Sequence, residues 1–168
     1  METKTMAPPL EIAKDAFLKR LPEAERTALD ETASTLASTL LGQNRRGAIV
    51  AVGGSLRKPW PRKDIDLVLV REDHTGNPHS VDYSREDFHV LRSVAEEAAR
   101  QNPDIAITET LEPQPDEEFG GLFLRFDGKV TLQHRASSVP FEVIRSADKN
   151  LEEFIENRRS LYVILSQE

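Results

Sequence analysis

Residues 47–55 read Gly47-Ala48-Ile49-Val50-Ala51-Val52-Gly53-Gly54-Ser55, and residues 64–70 read Asp64-Ile65-Asp66-Leu67-Val68-Leu69-Val70. The first run is almost wholly apolar and ends in a glycine pair, as a buried strand running into a tight turn does. The second is rich in β-branched residues and reads as another strand. In a strand, residues i and i+2 share a face about 7 Å apart. Asp64 and Asp66 therefore converge on one side of the sheet, while Ile65 and Leu67 face the other. Two carboxylates that close repel each other unless a cation lies between them. Magnesium takes oxygen ligands at about 2.1 Å and commonly uses one or two carboxylates together with substrate phosphates. The glycine pair lets the backbone of the turn approach a phosphate closely. Exposed N–H groups there, and the Ser55 hydroxyl, are suited to donate to phosphate oxygens. Arg57, Lys58, Arg62 and Lys63 place positive charge around the same turn.

Working outward, apolar residues at helical spacing predict a helix over 10–18 and a second over 23–41, with Gly42 as its C-cap. Residues 71–83 are a long polar loop. Ser84 followed by Asp87 resembles a capping box and opens a helix that runs to Gln101. Strands are expected over 105–111, 122–126, 130–134 and 139–144. Asp127-Gly128 carries the signal of a two-residue hairpin between the second and third of these. Asp116-Glu117-Glu118 belongs to a solvated loop. A closing helix is expected over 150–165. The order predicts an α+β domain with a mixed sheet flanked by helices. It divides into an N-terminal helical segment (1–46), a core (47–145) and a C-terminal helical segment (146–168), all in one structural domain.

The chain has 168 residues, enough to bury a core unaided. With no cysteine, it has no thiol nucleophile, thiolate metal site or disulfide. The start of the chain carries no secretory signal, and no apolar run is long enough for a membrane span, so a cytoplasmic protein is expected. The formal net charge of −7 disfavours a long nucleic acid as partner. His74, His79, His89 and His134 lack metal-ligand spacing; His134 is placed near the aspartates, in a structural role.

Val52-Gly53-Gly54, nine residues, then Asp64-Ile65-Asp66-Leu67 resembles the signature of the DNA polymerase β-type nucleotidyltransferase superfamily. That signature is an apolar residue, Gly, Gly or Ser, a spacer of nine to thirteen residues, then Asp, apolar, Asp or Glu, apolar. The resemblance spans about residues 47 to 145. The family carries a third acidic residue on a later strand, and Phe141-Glu142-Val143 matches it, with Glu109 as the competing position. Two departures stand out. Lys63 replaces the serine usual before the first aspartate, and Pro59-Trp60-Pro61 interrupts the short helix that usually follows the turn.

The resemblance implies a nucleotidyltransferase fold and a magnesium-dependent enzyme, with manganese as a substitute ion. Asp64, Asp66 and Glu142 would be the catalytic and metal-binding residues, with two metal ions bridging them and the triphosphate and Glu142 completing the second metal site. Gly53, Gly54, Ser55, Arg57 and Lys63 would hold a nucleoside triphosphate, ATP being the expected one. The acceptor would be a hydroxyl of a small molecule or protein. The alternative is a catalytically inactive domain of that fold that binds a nucleotide or a partner protein. Apolar residues of the C-terminal segment suit packing on the sheet or on a second copy in a homodimer.

Overall fold

The computed structural model describes residues 9–57, 60–77, 80–121 and 124–167. Lys58, Pro59, His79 and the Leu122-Phe123 start of one expected strand lie outside the described residues, as does the Ser55 side chain. Among the described residues the fold is a mixed α+β arrangement of four helices and a six-stranded sheet, with a separate two-stranded ribbon. The chain runs α1 (Lys14–Leu18), α2 (Glu23–Gly42), β1 (Gly47–Val52), β2 (Ile65–Arg71), α3 (Val81–Gln101), β3 (Ile105–Leu111) and β4 (Gln114–Pro115). It continues through β5 (Leu124–Phe126), β6 (Lys129–His134), β7 (Phe141–Arg145), α4 (Leu151–Asn157) and β8 (Tyr162–Gln167). The sheet order is β3-β6-β7-β2-β1-β8, with only β2 and β7 parallel.

The two faces of the sheet are covered differently. Ile49, Ala51, Ile65, Leu67, Leu69, Val130, Leu132, Phe141 and Val143 turn to one face. There they pack on the apolar stripes of α2 (Ala28, Leu29, Ala33, Leu36, Leu40) and α3 (Phe88, Leu91, Val94, Ala95, Ala98). The opposite face of β1 and β2 shows Ala48, Val50, Val52, Val68 and Val70, which are covered by Leu151 and Phe154 of α4 and by Tyr162. On β7 the same face stays accessible: Ile144, in register with Val68, is 40% exposed. No helix among the described residues is long and apolar enough to cross a membrane.

Four expectations are corrected, three of them by strand pairing. The closing helix ends at Asn157, and residues 162–167 form β8. Strand β1 is buried along its whole length, so it needs a partner on each edge. β2 satisfies one edge, and the β-favouring Tyr162-Val163-Ile164-Leu165 satisfies the other. Residues 10–12 extend that edge instead of joining α1, with Ile12 N–H donating to the Tyr162 carbonyl at 2.9 Å. The hairpin at Asp127-Gly128 is not made, because both edges of β6 are taken by β3 and β7 while β5 pairs with β4. Gly128 has φ +95° and lies so close to Phe88 that an added Cβ would stand 2.5 Å from its ring. The glycine thus serves a close approach of backbone to α3.

Helix α3 begins at Val81, one turn earlier than expected, because Ser80 caps it by accepting the Tyr83 N–H at 3.2 Å. Ser84 and Asp87 are instead buried against the sheet. Asp87 accepts from Arg71 of β2 at 2.6 Å and from Arg145 of β7 at 3.3 Å, and Ser84 accepts from Arg145. This network ties α3 to both parallel strands.

Removing one member of a buried ion network leaves charge uncompensated, at a cost of about 3–5 kcal/mol. Asp87→Ala is expected to lower unfolding stability in urea by that amount. Removal of the exposed Lys14–Asp30 pair by Lys14→Ala is expected to change it by less than about 0.5 kcal/mol.

Candidate functional site

The parallel register sets Asp66 of β2 opposite Glu142 of β7, and Asp64 lies one residue before β2 begins. Each of the three offers a carboxylate oxygen, and these oxygens all lie within 4.8 Å of one another. Residue parity explains the convergence. Ile65 and Leu67 are buried against α2 and α3, so Asp64 and Asp66 turn to the opposite face. Phe141 and Val143 bind Glu142 to that same face in the same way. Glu109 lies on the exposed part of edge strand β3 and is not among the three.

The glycine turn closes over this group. Val52 is in register with Asp66, so Gly53 follows directly above it. Gly53 has φ +87°, and an added Cβ would stand 2.7 Å from Asp66 Oδ2. Both facts require glycine. A single 3-10 turn, Gly54–Leu56, follows and is anchored by the buried Leu56.

Arg62 reaches back to the same turn, its Nη2 lying 3.0 Å from where a Cβ on Gly54 would be. The Arg62 Nε is buried and has no hydrogen-bond partner among the described residues. Arg57, directly after the turn, and Lys63, directly before Asp64, are exposed. Trp60 is partly buried against the main core, which accounts for its apolar surface.

The electrostatics follow from this crowding. Burial raises the Asp66 carboxyl to about 6, helped by the charge of Asp64, by the hydrogen bond that protonated Asp66 donates to Glu142, and by the Glu142 charge. Lys129, the first residue of β6, opposes that shift. Its Nζ lies 3.0 Å from Glu142 Oε1, and the hydrogen bond to Glu142 holds the ammonium above its ordinary value. Lys129 was not singled out from the sequence, because the hairpin reading made it a turn flank. Only the pairing of β6 with β7, Thr131 opposite Glu142, brings it to the site.

A second cluster, Glu31, Asp104 and His134, also brings ligand-type atoms together. His134 Nδ1 accepts the Ala136 N–H at 3.0 Å, so Nε2 carries the proton and faces Glu31 Oε2 at 2.7 Å. Both ring nitrogens are thus engaged, and His134 clasps α2 to β6 on the helical face, away from the aspartates. The Asn102 amide and His134 together pull the Glu31 carboxyl below its ordinary value.

Comparison with protein-family models, with curated proteins and with solved structures gives no match to this chain.

Because Asp66 titrates higher in the fold than its unfolded value of about 3.9, the native state binds more protons between the two values. Its contribution to stability is therefore full below pH 4 and is lost as pH rises through about 6. In chelator, Asp66→Asn is expected to gain stability relative to wild type as pH goes from 4 to 7. Paired urea titrations at the two pH values check this, and a constant difference would contradict the assignment.

Proposed function

We propose that this protein is a metal-dependent nucleotidyltransferase that moves a nucleoside monophosphate from a nucleoside triphosphate to a hydroxyl of a small molecule or protein. The observation that carries the reading is the meeting of Asp64, Asp66 and Glu142 beneath the Gly53-Gly54 turn, from three separate stretches of chain. A structural domain gains nothing from gathering like charges at a half-buried position, since their repulsion costs stability. An all-oxygen donor set this compact fits magnesium or manganese, whose charge relieves that repulsion. The mixed sheet flanked by helices is compatible with a nucleotidyltransferase-like fold.

In this reading Asp64 and Asp66 hold the metal, which when bound neutralises charge on the phosphates. The turn at Gly53-Gly54 and Ser55 receives the β- and γ-phosphates, with Arg57, Arg62 and Lys63 supplying positive charge. Arg62 is the best placed of these, because its guanidinium already faces the turn. The acceptor oxygen attacks the α-phosphorus in line. A new O–P bond forms, the bond from that phosphorus to the bridging oxygen breaks, and pyrophosphate leaves with the electron pair. The acceptor proton passes to the Glu142 carboxylate. Most of the rate enhancement would come from positioning and charge stabilisation. The uncovered face of β7 beside Glu142 leaves the acceptor an approach.

The test is calorimetric titration of the four ribonucleoside triphosphates with and without magnesium. Magnesium-dependent binding is expected for wild type and is expected to vanish in Asp64→Asn/Asp66→Asn. Arg62→Gln is expected to weaken it about tenfold, the loss of one charge-assisted phosphate contact. Binding with no pyrophosphate release in the presence of candidate acceptors would favour an inactive nucleotide-binding domain. No binding to folded wild type would remove the enzyme reading.

A further inference from the structure

Resting on the metal-binding reading of Asp64 and Asp66, we infer that Lys129 is a built-in cation of the site and takes the place of a second metal, so that the site holds one divalent ion. The geometry is specific. Lys129 and Thr131 share the face of β6 turned away from α2 and α3, and Thr131 is the register partner of Glu142. Lys129 therefore stands diagonally across from Glu142, within reach of a long side chain. Its Nζ is 3.0 Å from Glu142 Oε1, and both side chains are about three-quarters buried, with exposures of 23% and 27%.

Repulsion supports the same count. Asp64, Asp66 and Glu142 carry three negative charges when ionised, and Lys129 returns one positive charge. Glu109 on β3, whose charge also acts on Lys129, adds a fourth carboxylate at the edge of the group, so the ion count follows from where the ammonium stands and not from neutrality. A second ion bridging Asp66 and Glu142 would have the ammonium as its immediate neighbour, and like charges at that separation repel strongly even near a protein surface. A two-metal site would need Lys129 to withdraw from Glu142. On β3 the register partner of Lys129, Leu111, is apolar, while the charges of Glu109 and Asp64 join that of Glu142 in holding the ammonium. Glu142 is then held in place by Lys129, and the ion lies on the Asp64–Asp66 side.

The experiment counts manganese bound to the full chain without nucleotide, from the paramagnetic resonance signal of the free ion. Wild type and Lys129→Arg are expected to bind one ion per chain, and Lys129→Met two. Glu142→Gln is expected to keep the one ion, because that ion does not depend on Glu142. The inference is overturned if wild type binds two, if Lys129→Met folds and still binds one, or if Glu142→Gln binds none. Should Lys129→Met not fold, the Glu142→Gln count decides alone. Failure of the metal reading looks different: wild type and Asp64→Asn/Asp66→Asn would both bind no ion, and the inference would fall with it.

Discussion

The parallel pairing of β2 with β7 sets Asp66 against Glu142, and the site depends on that register. The register is fixed from the other face of the sheet. Ile65, Leu67 and Leu69 on β2, with Phe141 and Val143 on β7, are buried beneath α2 and α3. A slip of one residue would turn these side chains outward and drive the carboxylates into the core. Hydrophobic packing therefore holds the acidic groups together against their own repulsion. The raised Asp66 carboxyl and the Lys129 ammonium on Glu142 are two local responses to that enforced crowding.

The partial covering of the second face gives the carboxylates their mixed environment. Helix α4 and Tyr162 seal the valines of β1 and β2 but leave β7 open at Ile144. The carboxylates stand at that boundary. They are buried enough for desolvation to matter, and exposed enough for a ligand to reach them. Gly53 completes the enclosure by bringing backbone where no side chain fits. On the helical face, Arg71, Asp87 and Arg145 join α3 to both parallel strands. The register is thereby supported by charge as well as by apolar contact.

Much of this was legible in the residues. The run 47–52, the alternation through 64–70 and the apolar stripes of α2 and α3 each identify their element, because their periods are those of the structures they form. The same alternation placed Asp64 and Asp66 on one face. Elsewhere local signals lost to pairing demands. Asp127-Gly128 has hairpin chemistry, yet β6 is claimed on both edges by β3 and β7. Residues 162–165 fit the end of a helix by composition, but the open edge of buried β1 recruits them as a strand. Ser84 and Asp87 have capping spacing, but they are buried on the arginines of β2 and β7.

By itself, the sequence determined which side chains share a strand face and which turn must be glycine, since both follow from local backbone geometry. It also pointed to Glu142, between two apolar neighbours, as the third carboxylate, with Glu109 left as a competing position. Only the tertiary structure set Glu109 aside, by seating β7 and not β3 beside β2. It alone brought Lys129 to Glu142 and Arg62 to Gly54, because contacts between residues distant in the chain depend on strand order and register, which no local pattern encodes.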